Sequence, residues 1–183
     1  SVLTTIYNRP EHLRLLVAAL AAQTRPPDEL VVADDGSDAA TVAALARFLP
    51  ACGIPARVVR QEKDGYRLAA ARNLAIRAAT GDYLLFLDCD VAPLPDAVAV
   101  HEKNAAPGRL LCGHRALLDE TATQALFAVV PAPRDADWEL AWRSADLTEA
   151  ETADKLFARH AALRRWHLAR PHKPKLIGCH FSL

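Results

Sequence analysis

Tyr83-Leu84-Leu85-Phe86-Leu87 runs without a break into Asp88-Cys89-Asp90. A short, wholly apolar run of this kind, with Gly81 before it and carboxylates after it, fits a strand buried on both faces. Two carboxylates two positions apart at the end of such a strand can turn into one loop and face a single hard cation. Mn²⁺ or Mg²⁺ held by one or two carboxylates plus substrate phosphates is the usual arrangement where nucleotides bind. The competing explanation is a polar turn before Pro93 with an aspartate as its cap. The triplet alone is common, and its place behind an apolar strand is what favours the metal.

Outward from this stretch the same grammar repeats. Ser1 to Ile6 is apolar and β-branched enough for a buried strand, and it leads into Tyr7-Asn8-Arg9. Asn8 with Glu11 three residues later has the form of a helix N-cap and its reciprocal partner. Leu13, Leu16, Val17 and Leu20 then mark one face of an amphipathic helix, ended by Arg25-Pro26-Pro27-Asp28. Leu30 to Ala33 is a second strand, closed by Asp34-Asp35-Gly36-Ser37. Ser37 or Asp38 can cap the helix through Val42, Leu45, Ala46 and Leu49, which Pro50 and Gly53 stop. Ala56 to Val59 forms a third strand, and Leu68 to Ala79 a third helix with Gly81 as its C-terminal stop.

Strand and helix thus alternate three times, with strands that are unbroken apolar runs. That pattern implies an α/β fold with a mostly parallel central sheet and helices on both faces. Open sheets of this kind bind ligands at the carboxyl ends of their strands. Those ends are where Tyr7-Asn8-Arg9, Asp34-Asp35 and Asp88-Cys89-Asp90 fall. Beyond Pro93 the alternation loosens: Ala97 to His101 reads as a short helix, Arg109 to Leu118 as a strand, Thr148 to His167 as a charged helix, and Lys175 to Leu183 as a final strand.

Composition excludes several classes. Over 183 residues, Lys+Arg and Asp+Glu balance at 22 each, so no global field points to nucleic acid. Half the residues are apolar (51%), which suits a packed core and excludes a disordered chain. The longest apolar run, around Leu13 to Ala22, is too short to span a bilayer, and nothing resembles a signal peptide. The four cysteines make no CxxC pair, so neither zinc ligation nor a disulfide scaffold is indicated. A reducing cytoplasm is the default compartment, with peripheral association at the inner face of a membrane compatible with it. The chain lacks methionine, opens in what reads as mid-strand and closes on Phe181-Ser182-Leu183. One domain over residues 1–183, truncated at both ends, is the expectation.

Asp64-Gly65-Tyr66-Arg67 followed by Arg72-Asn73 puts arginines at a helix start, where the dipole disfavours cations unless an anion is held there. With this block added, the chain resembles the family-2 glycosyltransferases of the GT-A fold. The resemblance rests on the order and spacing of Thr5-Ile6-Tyr7-Asn8-Arg9, Ala33-Asp34-Asp35-Gly36-Ser37, Asp64 to Asn73 and Gly81 to Asp90. The stretch from Lys63 to Asp90 is most similar to the chondroitin-polymerase-like and β-1,4-galactosyltransferase-like members.

The resemblance implies an inverting enzyme that binds a nucleotide sugar, UDP-linked by preference, and transfers the sugar to a saccharide or glycan acceptor in cell-envelope polysaccharide or glycoconjugate synthesis. Substrate-binding residues would be Thr5, Tyr7, Arg9, Asp34, Asp35, Arg67, Arg72 and Asp88. Thr5 and Tyr7 would contact the uridine, Asp35 would accept from the uracil ring nitrogen, and Arg67 and Arg72 would lie near the diphosphate. Asp90 would ligate Mn²⁺ or Mg²⁺, with Asp88 on the ribose or metal side. The catalytic base of the family is an Asp or Glu well beyond the DxD. No residue here matches it, so it is expected beyond Leu183, where Lys175 to Leu183 resembles the strand preceding it.

Two other classes compete. A nucleotidyltransferase would carry a glycine-rich phosphate loop after the first strand, and Tyr7-Asn8-Arg9-Pro10 has no glycine. A non-catalytic nucleotide-sugar-binding fragment would have the donor residues without the base. Asp119-Glu120 and the acidic run Glu149 to Asp154 are assigned to solvated surface. The basic cluster of Arg159, Arg164, Arg165, Arg170, Lys173 and Lys175 with His160, His167 and His172 is likewise assigned to a solvated face. Trp138 and Trp142 suit core packing at least as well as sugar stacking, and His101 and His114 lack partners at metal spacing.

Overall fold

The computed structural model describes residues 1–113, 118, 120–129 and 180–182. Strand β1 (Val2–Ile6) leads to helix α1 (Pro10–Ala21), β2 (Leu30–Asp34) to α2 (Ala39–Phe48), and β3 (Ala56–Arg60) to α3 (Leu68–Ala78). After β4 (Leu85–Leu87) come α4 (Ala97–Asn104), β5 (Leu111–Cys112), α5 (Glu120–Val129) and β6 (His180–Ser182). The sheet order is β3-β2-β1-β4-β6-β5. β3, β2, β1 and β4 are parallel, while β6 pairs antiparallel with both β4 and β5. This is the α/β, mostly parallel sheet that the alternation implies.

The inner strands β1, β2 and β4 are buried on both faces, and the pleat divides their residues between two cores. Val2, Ile6, Leu30, Val32, Leu85 and Leu87 pack with Leu13, Leu16, Val17 and Leu20 of α1 and Leu45 of α2. Leu3, Val31, Ala33 and Phe86 face the other way, onto Ala71 and Ala75 of α3. The alanines let α3 lie close to the sheet. Burying each large aliphatic side chain contributes about 1.5–3 kcal/mol. α5 seats Leu126 on Leu15, Ala18 and Ala19 at the back of α1. No helix among the described residues is long and apolar enough to cross a membrane.

Several local expectations are corrected. Asn8 does not cap α1: Arg9 occupies the N-cap without a side-chain bond and Pro10 begins the helix. Asn8 instead adopts φ 52 and turns towards the next loop. α1 ends at Ala21, before Arg25. Gly81 does not close α3, whose C-cap is the extended Ala79. Its lack of a side chain serves a close approach, since a Cβ there would lie 2.7 Å from Ser1 Oγ. Only Leu85–Leu87 of the long apolar run is strand, and among the described residues of the run after Arg109 the strand is Leu111–Cys112. α4 extends three residues past His101, to Asn104. His114, Asp119, Trp138, Trp142, the acidic run 149–154, the helix of 148–167 and the basic cluster of 159–175 lie outside the described residues.

The amino ends of the strands are tied together by one carboxylate. Glu29, 5% exposed, accepts from Ser1 Oγ, from Thr80 N (2.6 Å) and Oγ1 (2.8 Å), and from Arg57 Nη2 (2.7 Å). One buried side chain thus joins the leads into β1 and β4 to β3. Burial alone would raise the carboxyl pKa, but these donors and the Arg57 charge hold it at about 2. Because the folded pKa lies below the ordinary 4.5, the contribution is complete above that pH and is lost as pH falls towards 2. Glu29→Gln is expected to cost about 1–3 kcal/mol at pH 7, with the gap to the parent closing below pH ~4. Urea unfolding of both proteins at pH 7 and pH 3 checks this, and a gap of equal size at both values would contradict it.

Candidate functional site

The parallel register carries the carboxyl ends of β1, β2 and β4 to one edge of the sheet, and the ladder continues past the strands. Asp35 N donates to Ile6 O (2.9 Å) and Gln61 N to Asp34 O (3.0 Å). The loops after β1, β2, β3 and β4 therefore leave the edge side by side.

The turn after β2 divides its work among three aspartates. Asp34, 1% exposed, accepts from Ser37 N (2.8 Å) and faces Arg60 Nη1 at 3.4 Å, while Arg60 Nη2 donates to Ser37 O. Asp38 caps α2 by accepting from Thr41 N at 2.7 Å. Asn8 binds this turn from the side: its N–H donates to Ser37 Oγ (3.0 Å) and its Oδ1 accepts from Asp38 N (2.8 Å). Turn and cap are thus made by Asp34 and Asp38, which leaves Asp35 out of both.

Asp35 instead looks across to the loop after β3. Its Oδ1 accepts from Gln61 Nε2 at 2.6 Å and its Oδ2 from Lys63 Nζ at 2.9 Å. Burial opposes the charged form, yet these two donors with the Lys63 charge bring the carboxyl below its ordinary value. The Lys63 ammonium also sits 3.7 Å from the centroid of the Tyr7 ring, a cation–π contact that reaches the β1 loop. Tyr7 is 46% exposed, so its ring is open to a ligand on this edge. Gly36 makes the approach of the two loops feasible. Its φ is +78, and a Cβ there would stand 2.6 Å from Lys63 N.

The loop after β4 presents the carboxylate pair. Asp88 Oδ1 accepts from Arg72 Nη2 at 3.0 Å, and Asp90 Oδ2 lies 3.5 Å from Arg9 Nη1. Cys89 between them packs against the core beneath, and burial first, then the Asp90 charge, pushes its thiol pKa up to about 12. It is a neutral spacer that sends its two neighbours outward. Arg67 stands at the N-cap of α3 without a side-chain capping bond, 3.6 Å from Asp64. Arg72, one turn into α3, shares a small cleft with Thr5, Leu3, Ala75 and Phe86.

Of the residues nominated from sequence, Tyr7, Arg9, Asp35, Arg72, Asp88 and Asp90 therefore sit on or beside the edge loops, with Thr5 in the adjoining cleft and Arg67 at the N-cap of α3. Asp34 is turned inward as part of the turn. Gln61 and Lys63 were missed. Nothing local marks them, although lying two apart just after a strand could have suggested a shared side. Among the described residues no three His, Cys, Asp or Glu side chains meet as a metal cage. Asp88 and Asp90 supply two hard oxygen donors, which suits a divalent cation completed by phosphates better than one caged by protein alone.

A family model described as Glycosyl transferase family 2 matches residues 1–117. The hyaluronan synthase of Pasteurella multocida is 38% identical over 96 residues, covering 52% of this chain and 10% of that protein. The chondroitin synthase of Escherichia coli is 41% identical over 96 residues, covering 52% of this chain and 14% of that protein. The chain thus spans a small part of the relatives it matches. Among solved structures, the mannosyltransferase PcManGT from Pyrobaculum calidifontis, in complex with GDP-Man and Mn²⁺, superposes with a TM-score of 0.54 at 25% identity. The match covers 68% of this chain and 37% of that one.

Gly36→Ala tests whether the edge is assembled as described. The substitution places a methyl group against Lys63 backbone and demands a left-handed φ, so it is expected to cost about 1–3 kcal/mol and to displace the Lys63 loop. Thermal unfolding measures the first effect. An unchanged melting temperature would mean that the two loops are not packed as this structure has them.

Proposed function

We propose that this chain, which belongs to glycosyl transferase family 2, binds a nucleotide sugar, UDP-linked by preference, at the carboxyl edge of its sheet and supports an inverting transfer to a saccharide acceptor. The observation that carries this reading is the convergence of Tyr7, Asp35, Asp88 and Asp90, from loops that follow three different strands, with Arg72 of α3 on Asp88. The base would stack against Tyr7, with Asp35 accepting from a ring N–H. Arg67 and Arg72, at the start of α3, would face the diphosphate, with Arg9 beside Asp90. The similarity to synthases of hyaluronan and chondroitin favours a growing saccharide chain as acceptor. A cytoplasmic site of action, at the inner face of a membrane, would suit that role.

A divalent cation fits the donor set, and PcManGT was solved with Mn²⁺. Asp90 would hold it, with Asp88 beside it, and it would supply positive charge to the diphosphate as that group leaves. The chain's own residues do the positioning. Arg72 holds Asp88 at 3.0 Å, so the first carboxylate is oriented before any ligand arrives. Cys89, anchored in the core, fixes how far Asp88 and Asp90 stand from the sheet. In the inverting reaction an acceptor hydroxyl attacks the anomeric carbon in line as the bond to the diphosphate oxygen breaks, and a carboxylate takes the hydroxyl proton. That carboxylate is not among the residues gathered at this edge. Glu120, at the start of α5, is exposed and lies on the surface.

Asp90→Ala should weaken Mn²⁺-dependent UDP binding at least tenfold and leave the melting temperature of the free protein unchanged, because the residue is exposed and paired only loosely with Arg9. Calorimetric titration at saturating Mn²⁺ checks this, and equal affinities would remove Asp90 from the site. Asp35→Asn keeps the shape but loses the charged acceptor, so UDP binding should fall by about 1–3 kcal/mol. An unchanged affinity would assign Asp35 to loop structure alone.

A further inference from the structure

Asp35 is ionised and can only accept, so the Gln61 group 2.6 Å from it must be the amide nitrogen, and Lys63 can only donate. The two donors approach different oxygens of the carboxylate, Gln61 on Oδ1 and Lys63 on Oδ2. The row along this part of the edge therefore reads donor, acceptor, donor. Each flanking group can still donate: the ammonium has two further hydrogens, and the second amide N–H is held only by a long contact to Arg67 O at 3.5 Å, which an entering carbonyl can replace. The carboxylate also takes the Arg67 backbone N–H, and of its roughly four lone-pair sites one remains for a ligand.

Resting on the nucleotide-sugar reading above, we infer that Gln61 and Lys63 are specificity-determining residues that read the nucleobase together with Asp35, and that the base they select is uracil. The imide edge of uracil presents a carbonyl, a ring N–H and a second carbonyl, which is acceptor, donor, acceptor, the complement of this row. Cytosine presents an amino donor, a ring acceptor and a carbonyl. It would set its ring nitrogen against the Asp35 carboxylate and its amino group against one of the two donors. Guanine presents a carbonyl, a ring N–H and an amino donor. It fits only if Gln61 turns its amide oxygen outward and gives up its bond to Asp35. A site built to pair each group rejects a ligand that leaves one unpaired far better than a merely apolar pocket does.

Lys63 is placed for this by more than its own chain. Gly36 lets its backbone rest against the β2 turn, and its ammonium spans Asp35 and the face of Tyr7. When a base stacks on Tyr7, the ammonium moves from the ring to the entering carbonyl and keeps Asp35 as its anchor. The move exchanges a cation–π contact at a half-exposed ring for a charge-assisted hydrogen bond, which is the stronger of the two.

The test is calorimetric titration of UDP, CDP and GDP, each with Mn²⁺, into the intact protein and into Lys63→Met and Gln61→Met variants. The parent should favour UDP over CDP by at least about a hundredfold, two charge-assisted mismatches' worth. Lys63→Met should lower UDP affinity about tenfold and CDP affinity less than twofold, because phosphate contacts are common to both. Gln61→Met should narrow the UDP preference in the same direction. A Lys63→Met protein that binds UDP as tightly as the parent, or more tightly, would show that Lys63 merely covers an empty site. An equal loss for all three nucleotides would show a role in loop structure only. Both results overturn this inference while the nucleotide site stands. Failure of the parent to bind any of the three would overturn the nucleotide-sugar reading and this inference with it.

Discussion

The parallel pairing of β3, β2, β1 and β4 is the constraint on which the remainder depends. Parallel strands cannot be joined by hairpins, so each return among these four runs through a helix and all four point the same way. The loops that follow these four strands then lie on one edge, and those that precede them lie on the other. The chain uses the two edges differently. The amino edge is closed by Glu29, which is buried and surrounded by donors from Ser1, Thr80 and Arg57. The carboxyl edge is left with half-exposed side chains whose partners come from neighbouring loops. Cohesion at one end and open polar groups at the other follow from a single topological choice.

Charge at the carboxyl edge is balanced pair by pair, and the pairs differ in how deeply they are held. Asp34 is buried and fixed in the turn by Ser37 N, with the half-exposed Arg60 over it at 3.4 Å. Such a group is costly to disturb, since a buried carboxylate without its donors loses several kcal/mol. Arg9 with Asp90 is exposed on both sides and 3.5 Å apart. Exposed pairs are worth at most about 1 kcal/mol, and a divalent cation or a diphosphate can take either partner at little cost. Arg72 with Asp88 lies between these extremes, shorter at 3.0 Å and partly sheltered. The gradient runs from permanent scaffold at the β2 turn to exchangeable contacts at the DxD.

Much of this was legible in the sequence, for physical reasons that also explain the failures. Apolar runs such as Leu30 to Ala33 mark strands because burial on both faces leaves no polar position, and the pleat then assigns Val31 and Val32 to opposite cores. Asp88 and Asp90 were legible because a carboxylate directly after such a run has nowhere to go but the edge. Contacts between loops were not. Asn8 and Glu11 have the spacing of a capping pair, yet Asn8 reaches Ser37 and Asp38, some 30 positions on. Gly81 looks like a helix stop but makes room for Ser1. Glu29 belongs to no motif and is the buried clip. Gln61 and Lys63 carry no motif, and their importance lies in touching a residue 26 and 28 positions away. Local pattern predicts elements, and pairing between loops is settled only when the sheet sets them side by side.

Cys89 shows how the two levels meet. The triplet lies in a turn just past β4, closed by Val91 N donating to Asp88 O (3.1 Å), and that turn directs the middle residue inward between two aspartates that face out. Here that residue packs on the core below β4 and remains a neutral thiol. A polar middle residue would face a choice between an unpaired burial and a twist of the loop that carries one carboxylate away from the other. The separation of Asp88 and Asp90 is therefore governed by apolar packing beneath them as much as by the charges above. The acidity of the site is a surface property, and its geometry is a property of the core.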